Sequence, residues 1–556
     1  MIKFFDIDGG SCHILLEAPL LKDDVASLAS LLNKEYVSWH IEFGHIYNIE
    51  VDVLEILYKE ISQNHKNILL VTHKSKLNRY LHSLGFKTHF LSEIKNDIVH
   101  IEDVEVVLVG GSADSSKKIV EMVAHTSFKN LTLVIVQHVE PNKIGTFDQI
   151  LQRVTTHKVS YAKDGQRIER SHIYLAPANK HLKVLDGFIH LSDDEKYNYA
   201  KPSISLSYES FSNYYKEKLL VIQECGYASD GVDKLQLLKE NRSKLIIQNI
   251  SECEAKPMIK NAMEIGAHDF ILNIRDIVKF VNIIDMQVTK NLWIEYLLKN
   301  IYEKHNYDFR LYHKDMVRRR IDVYMLKHHI KNIKDAVILI LFHKNAFKSF
   351  FLELSINVTE LFRKPESFKN VLKLLNKFHK NAHNIKVWSA GCSSGEEVYS
   401  MAILLEMQGV LDNAIIYATD FNSVVLQEAK NGVYSLEEYD IAQKNFTQIG
   451  LDKDLSSYLT INDNYVRINE KIRDKTLFFQ HNLIEDSSFN EFNIIICKNV
   501  IIYFDDNLQK KVFQLFYDSL KFGGHLVLGE SEMIIPMFMD KFERSSESCK
   551  IFRKVA

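Results

Sequence analysis

The stretch that decides the fold of the C-terminal region is IKVWSAGCSSGEE, residues 385–397. Ile385–Trp388 predicts a strand, and the apolar spacing from Val398 to Met407 is that of a helix. Glycines at 391 and 395 let the loop between them approach a bound ligand closely. The stretch therefore predicts the strand, loop and helix of a parallel-sheet domain that binds a nucleotide-like cofactor.

Two features of this region narrow the kind of cofactor. The loop is not a GxGxxG sequence and has no basic residue to face a phosphate, and the acids Glu396 and Glu397 follow it instead. The next predicted strand, Ala414–Thr419, is followed by Asp420, whose carboxylate can accept ribose hydroxyls. Together these features indicate a cofactor without pyrophosphate that carries a positive centre, namely S-adenosyl-L-methionine. A tight strand-to-helix turn without a ligand is the alternative.

Several further stretches occur in an order that resembles a known family. They are INVTELFR (356–363), residues 388–400, YATD (417–420), HNL (481–483) and CKNVIIYF (497–504). On these motifs, residues ~290–556 resemble the chemotaxis receptor glutamate methyltransferases, the CheR family. The resemblance implies a Rossmann-like methyltransferase domain preceded by a helical subdomain.

The resemblance also implies site residues. Cofactor contacts are expected from Asn357, Thr359, Arg363, Glu397, Asp420, Asn482, Leu483, Lys498 and Asn499. Arg363 and Tyr503 are expected to orient the glutamate carboxylate for methyl transfer, although Tyr503 can also be a core residue. The family usually has Arg where this chain has Lys498, which keeps the charge and loses the planar fork.

The middle region alternates buried strands with helices, which predicts a parallel sheet. Three residues stand where predicted strands end: Ser112, His138 and Asp230. Because such carboxyl ends share one edge of a sheet, they can form a Ser-His-Asp triad for acyl transfer. Three ordinary loop residues are the alternative interpretation.

The stretches around this triad resemble the catalytic domain of chemotaxis protein-glutamate methylesterases, the CheB family. The matches are VGGS (109–112), VQH (136–138), IYLAP (173–177), HL (181–182), KPS (201–203) and SDG (229–231). The resemblance implies hydrolysis of glutamate methyl esters. Three segments depart from the family pattern: 113–116, 226–228 and 255–257. Asp114 in particular places negative charge near a developing oxyanion.

The N-terminal region shows a third α/β pattern, with strands at Trp39–Phe43 and Ile68–Thr72. Helical spacing is found in Asp23–Asn33, Leu54–Ile61 and Lys76–Leu84. The region weakly resembles a STAS interaction module, and an unrelated α/β cap is the alternative. No phosphoacceptor receiver signature is present.

The chain is therefore expected to be a multidomain α/β protein. The expected domains are a STAS-like module at 1–98, a Rossmann-like methylesterase domain at 103–276, a helical subdomain at 285–375 and a methyltransferase domain at 376–556. The helical subdomain contains a basic run, Arg318–Arg320 with Lys327 and His328. This run is either a solvated face or a surface for acidic receptor helices.

Composition restricts the partners and the compartment. The net charge of -3 gives no bulk attraction to nucleic acid or anionic membranes. No signal peptide and no apolar run of membrane-spanning length is visible, so a cytoplasmic protein without membrane insertion is expected. The six cysteines lie far apart without a CxxC pair, so neither a disulfide framework nor a zinc site is expected.

The sequence thus predicts a bifunctional enzyme of bacterial chemotaxis. It would methylate glutamates of chemoreceptors and hydrolyse the resulting esters, with a possible signalling partner at the N-terminal module. Two alternatives stay open: a methyltransferase whose inactive esterase-like domain is a signalling scaffold, and a methyltransferase for another acidic protein.

Overall fold

The computed structural model describes most of the chain beyond residue 100. The described parts are the backbone of five strands between residues 2 and 90, and residues 101, 104–112, 115–138, 146–227, 229–354, 359–376, 384–450, 454–462, 465–545 and 549–556. The chain divides into two compact units. The first comprises Met1–Ile94, Asp308–Arg319 and Leu352–Ala556, and the second comprises Lys95–Tyr307 and Arg320–Phe351.

The N-terminal strands of the first unit form one five-stranded sheet. In sheet order they are β1 (Ile2–Ile7), β2 (Ser11–Leu16), β3 (Ser38–Phe43), β4 (Asn67–Thr72) and β5 (Thr88–Phe90). Only the β1–β2 pair is antiparallel among these strands. The two predicted strands are present as β3 and β4. The predicted helices at 23–33, 54–61 and 76–84 lie outside the described residues, and the STAS resemblance stays a prediction.

The second unit is built on a seven-stranded parallel sheet. Its strands are β6 (Val106–Gly111), β7 (Thr132–Gln137), β8 (Lys158–Tyr161), β9 (His172–Leu175), β12 (Leu219–Gln223), β13 (Lys244–Gln248) and β14 (Phe270–Leu272), and the hairpin β10 (His181–Leu185) and β11 (Phe188–Ser192) is separate. The sheet order is β14-β13-β12-β6-β7-β9-β8, and every neighbouring pair is parallel.

The three central strands of this sheet are mostly apolar and are buried along their whole length. Every residue of β6, β7 and β12 is buried. Such continuous apolar runs are typical of parallel strands covered by helices on both sides. The parallel-sheet fold predicted for the middle region is therefore confirmed.

The C-terminal part of the first unit contains a second seven-stranded sheet. Its strands are β15 (Ile385–Ala390), β16 (Ala414–Asp420), β20 (Thr476–Gln480), β21 (Phe492–Cys497), β22 (Leu520–Leu528), β23 (Phe542–Arg544) and β24 (Ile551–Lys554). The order is β20-β16-β15-β21-β22-β24-β23, with antiparallel pairing only at β22–β24 and β24–β23. A separate three-stranded sheet has the order β17-β19-β18, from β17 (Val433–Ser435), β18 (Leu459–Ile461) and β19 (Tyr465–Ile468).

The helices of the described residues connect and cover these sheets. From Ser116 to the end of the middle region they are α1 (Ser116–His125), α2 (Phe147–Val154), α3 (Ile204–Tyr215), α4 (Leu235–Glu240), α5 (Pro257–Ile265) and α6 (Ile274–Asp285). Then follow α7 (Lys290–His305), α8 (Lys314–Lys327), α9 (Ile333–Phe342), α10 (Lys344–Leu354) and α11 (Pro365–Leu375). The C-terminal helices are α12 (Glu396–Met407), α13 (Ser423–Asn431), α14 (Leu436–Gln448), α15 (Glu470–Arg473) and α16 (Asp506–Ser519). The domain bounds expected from the sequence stay a prediction.

The structure has one disulfide that the cysteine spacing does not predict. Cys225 and Cys253 form a disulfide, with their Cα atoms 5.6 Å apart and both side chains buried. The two residues are 28 positions apart in sequence, so no short motif marks the pair. Their proximity follows from the parallel neighbours β12 and β13, because each cysteine follows one of these strands.

No helix in the described parts of the chain is both long and apolar enough to cross a lipid bilayer.

Candidate active sites

The first site is a cavity in the C-terminal part of the first unit. It lies where the neighbouring strands β16, β15 and β21 end, since the residues that follow them, Phe421, Gly391 and Lys498, line it. Carboxyl ends of parallel strands are where this type of sheet binds ligands. The cavity therefore occupies the position that the glycine loop predicted.

The glycine loop shapes one wall of this cavity. Gly391 has a φ of +76°, and a Cβ there would lie 2.5 Å from Cγ2 of Val500. Gly395 has a φ of +91° and caps α12. Both positions need glycine, because an L side chain is strained at such φ values. Helix α12 then starts with Glu396 and Glu397, and acids in a first turn are favoured by the helix dipole.

Asp420 closes β16 and lies at the cavity with its side chain almost fully buried. Its Oδ2 accepts the N–H of Ser393 at 2.9 Å, and its Oδ1 accepts the N–H of Asn422 at 2.9 Å. Burial raises the pKa of Asp420 to about 6, although the backbone N–H bonds act in the opposite direction. A carboxylate offers about four acceptor positions, so Asp420 retains capacity for ligand hydroxyls.

Lys498 and Glu397 face each other across the cavity wall. Lys498 Nζ lies 3.1 Å from Glu397 Oε2 and 4.3 Å from the centre of the Phe368 ring. Both charged side chains are mostly buried, with exposed fractions of 10% and 16%. Lys498 is thus held by an ion pair and a cation–π contact. The lysine in place of the family's usual arginine keeps a charge partner at this position.

The cavity brings together nearly all the residues that the sequence predicted for methyl transfer. It is lined by Thr359, Arg363, Glu397, Asp420, Asn482, Leu483, Lys498, Asn499 and Tyr503. Asn357 lies outside the described residues. The sequence reasoning missed the aromatic lining residues Tyr312, Phe368, Phe421 and Phe504. Phe421 and Phe504 adjoin predicted site residues, but no sequence signal marks Tyr312 or Phe368.

The donors and acceptors of the cavity fit S-adenosyl-L-methionine. This molecule presents ribose hydroxyls, an ammonium group, a carboxylate and a flat adenine. The cavity offers the carboxylates of Asp420 and Glu397, the cations of Arg363 and Lys498, and aromatic side chains. A side chain at position 391 would collide with Val500, and Gly391 leaves this space open. The chemistry of the lining residues therefore matches each part of the cofactor.

The second site lies in the second unit, on the neighbouring strands β7, β6 and β12. Ser112 directly follows β6, His138 directly follows β7, and Asp230 lies beyond β12. His138 Nε2 is 2.8 Å from Asp230 Oδ2. Ser112 Oγ is buried and has no hydrogen-bond partner among the described residues. The structure thus forms the His-Asp pair and places the serine at the adjacent strand end.

Asp230 is held by the start of α3. Its Oδ1 accepts the hydroxyl of Ser203 at 2.8 Å and the N–H of Ser205 at 3.1 Å, and its Oδ2 accepts the N–H of Ile204 at 2.6 Å. Burial by itself raises the pKa of Asp230, but the hydrogen bonds that it receives outweigh this and lower the pKa below its usual value. The sequence analysis quoted Ser203 only within a matching stretch, although its hydroxyl contacts Asp230 directly.

Hydrogen bonds from neighbouring side chains hold the segment that begins at Ser112. Gln137 Nε2 donates to the Ser112 carbonyl oxygen at 3.0 Å and to Ser116 Oγ at 2.7 Å, and Ser115 Oγ donates to the Ser112 carbonyl oxygen at 2.7 Å. Glu224 is fully buried nearby, and burial raises its pKa to about 8. Residues 113, 114 and 228, where the sequence departs from the family pattern, lie outside the described residues.

These two sites indicate two classes of enzyme: a methyltransferase that uses S-adenosyl-L-methionine, and a hydrolase. The family described as CheR methyltransferase, SAM binding domain, matches residues 357–551. The family described as CheB methylesterase matches residues 107–281. The chain belongs to the CheR methyltransferase family, and it also carries a CheB methylesterase domain.

Two relatives and one solved structure are similar to parts of this chain. "Putative methyltransferase Cher3" of Pseudomonas putida is 37% identical over 47% of this chain and 96% of its own length. "Putative protein-glutamate methylesterase/protein-glutamine glutaminase" of Leptospira interrogans is 30% identical over 31% of this chain and 91% of its own length. The crystal structure of the Thermotoga maritima CheB methylesterase catalytic domain is 22% identical, covers 32% of this chain and 97% of that chain, and has a TM-score of 0.31.

Proposed function

We propose that this protein sets the methylation level of chemoreceptors. In this proposal the C-terminal region methylates receptor glutamates, and the middle region hydrolyses the resulting methyl esters. The observation that supports the pairing most directly is the His138–Asp230 contact of 2.8 Å beside Ser112, in a chain that also has the methyltransferase cavity. One activity produces the substrate of the other.

In the cavity, the chain's own residues bind and orient the reactants. Bound S-adenosyl-L-methionine supplies a methyl group that is activated by a positive sulfur. Asp420 would accept the ribose hydroxyls, while Glu397 and Lys498 would hold the ammonium and carboxylate groups of the cofactor. Asn357, Thr359, Asn482, Leu483 and Asn499 are the further proposed contacts.

The acceptor needs no general base. A glutamate carboxylate has a pKa of ~4.3 and is ionised at neutral pH. Arg363 would attract and orient this carboxylate, and Tyr503 would restrict its approach to the methyl group. Catalysis by these residues is therefore a matter of alignment and exclusion of water.

In the middle region, Ser112 would attack the ester carbonyl while His138 takes the serine proton. Because Nε2 bonds Asp230, Nδ1 would be the nitrogen that takes the serine proton. His138 would then protonate the departing methoxide to release methanol. A water molecule would hydrolyse the acyl-enzyme and restore the glutamate carboxylate and the free serine.

A second candidate function for the middle region is a scaffold without esterase activity. It is favoured by the Ser112 hydroxyl, which has no hydrogen-bond partner among the described residues, and by the sequence departures beside it. In an active triad this hydroxyl must reach His138. The two candidates differ in one measurable quantity, the Ser112-dependent release of methanol.

The test uses the full chain, S-adenosyl-L-methionine labelled in its methyl group, and receptor-rich membranes. We expect label to enter receptor glutamates and then to leave slowly as methanol. Arg363→Ala should abolish uptake in a folded protein, whereas Arg544→Ala, at an exposed strand position, should not. Ser112→Ala should abolish release but not uptake. If the Ser112→Ala variant and the parent chain release methanol at the same rate, the result would support the scaffold. If the parent chain does not transfer label to the receptor, the proposed receptor substrate would be refuted.

A further inference from the structure

A buried glutamate that no sequence motif singled out holds the wall of the methyltransferase cavity. Glu532 follows β22 and is 3% exposed. Its Oε1 accepts the N–H of Val500 and of Ile501, each at 2.9 Å. Its Oε2 accepts the N–H of Asn499 at 3.0 Å and of Gly529 at 2.7 Å. One carboxylate thus binds four backbone donors.

Three of these donors belong to the segment 498–501, here called the Lys498 loop. The loop follows β21, where the ladder of the sheet ends and backbone N–H groups lose their strand partners. Buried N–H groups without an acceptor are costly, so the loop needs an acceptor from elsewhere. Hydrogen bonds to an ionised carboxylate are stronger than those between neutral groups. Glu532 supplies this acceptor for three consecutive residues.

The backbone of the Lys498 loop also shows why it needs such a restraint. Asn499 has a φ of +61°, in the left-handed region that residues other than glycine rarely adopt. A conformation of this kind persists only where the surroundings impose it. The N–H of Asn499 itself is one of the four donors to Glu532. The carboxylate therefore acts directly on the residue with the unusual backbone.

The Lys498 loop is part of the site. Lys498, Asn499 and Val500 line the cavity, and the loop leads directly to Tyr503. Val500 also packs against the glycine loop, since a Cβ on Gly391 would lie 2.5 Å from its Cγ2. A shift of the Lys498 loop would therefore move a cofactor-facing cation and alter the contact with the glycine loop together.

We infer that Glu532 is a positioning residue for methyl transfer, which fixes the Lys498 loop in the geometry that binds S-adenosyl-L-methionine. The carboxylate bonds the backbone behind the wall and acts through the loop. The inference rests on the proposed role of this cavity as the methyl-transfer site. It extends that proposal to a residue outside the expected cofactor contacts.

Two substitutions test the inference on the full chain. Glu532→Gln keeps the size of the side chain, but its amide nitrogen faces two N–H donors and can accept from neither. Gly529→Ala keeps the carboxylate and crowds the same place, because the added Cβ would lie 2.7 Å from Glu532 Oε2 and 3.0 Å from the Asn499 nitrogen. Glu543→Gln, at an exposed position of β23, is the matched control.

The readout is the affinity for S-adenosyl-L-methionine by titration calorimetry, well below each variant's melting temperature. We expect Glu532→Gln to bind about 10- to 100-fold more weakly while it stays folded by circular dichroism. Gly529→Ala should weaken binding in the same direction, Glu532→Asp should recover part of the affinity, and Glu543→Gln should bind as the parent does.

Unchanged affinity in folded Glu532→Gln would overturn the inference and leave the proposed function standing. If Glu532→Gln does not fold, unchanged affinity in Gly529→Ala overturns it instead. A lower melting temperature with full affinity would mean that Glu532 only stabilises the fold, which also contradicts the inference. Absence of binding by the parent chain would refute both proposals.

Discussion

Two buried aspartates, Asp230 and Asp420, stand at the carboxyl ends of parallel strands in the two seven-stranded sheets, and their surroundings differ. Asp230 receives four hydrogen bonds, from His138, Ser203, Ile204 and Ser205. Asp420 receives backbone N–H bonds from the loop beside it, at Ser393 and Asn422. Accordingly the pKa of Asp230 is lowered, whereas burial raises the pKa of Asp420 to about 6.

This difference supports the two proposed roles, in which Asp230 orients the imidazole and Asp420 binds the cofactor. Protein donors saturate Asp230, so it can hold an imidazole but has little capacity for a substrate. Asp420 is buried with fewer hydrogen-bond donors than Asp230. A ligand that donates further hydrogen bonds would reduce the free-energy cost of keeping this carboxylate charged. At these two positions the number of protein donors therefore agrees with the proposed roles.

The largest expected effect tests the orienting role. Asp230→Asn should lower ester hydrolysis by about 10³- to 10⁴-fold, because an amide holds the imidazole in the wrong tautomer. Methanol release from methylated receptors measures this. Asp186→Asn, at an exposed turn in the same unit, is the control. Hydrolysis at the parent rate in Asp230→Asn would remove Asp230 from the mechanism.

The binding role predicts a smaller loss at the other aspartate. Asp420→Ala should weaken S-adenosyl-L-methionine binding by roughly 10- to 150-fold, through the loss of charged hydrogen bonds worth ~1.5–3 kcal/mol. Titration calorimetry measures the affinity for S-adenosyl-L-methionine of Asp420→Ala and of the exposed control Asp474→Ala. Equal affinity in both variants would contradict a ribose contact at Asp420.

The raised pKa of Asp420 predicts that cofactor affinity depends on pH. The ionised carboxylate accepts hydroxyl protons, so affinity should be full above the folded pKa of about 6 and decline as the pH falls through it. Between pH 7.5 and pH 5 the decline should reach at most about tenfold. Asp420→Asn should bind weakly at both pH values. A parent affinity that is constant over this range would mean that the carboxylate does not titrate there.

The smallest effect is expected at Lys498. Lys498→Arg should change cofactor affinity by less than about fivefold, because an arginine can keep both the Glu397 ion pair and the contact with the Phe368 ring. Titration calorimetry measures the cofactor affinity of Lys498→Arg. The variant Lys498→Met, which removes the charge, is measured beside it for comparison. A large gain in Lys498→Arg would show that the lysine weakens the site.

The sequence predicted the sheets and the strand-end residues because both depend on local patterns. Apolar runs ending in Ser112, His138 or Asp420 place these residues without knowledge of the rest of the fold. Contacts between distant segments carry no such pattern. The Cys225–Cys253 disulfide, the Ser203 bond to Asp230 and the four N–H bonds to Glu532 were missed for this reason. Tyr312 lines the cavity from a segment far earlier in the chain.

The hydrogen bonds that hold Asp230 at the start of α3 have a consequence for the energetics of the proposed ester cleavage. Asp230 is bonded to fixed backbone groups, and the positive end of the α3 dipole adds to their field. In the proposed mechanism, the charge that compensates a protonated imidazole would already be in place and would not have to rotate or gain solvent. Water dipoles would have to reorient around the new charge in this step, whereas the protein dipoles around Asp230 were oriented when the chain folded.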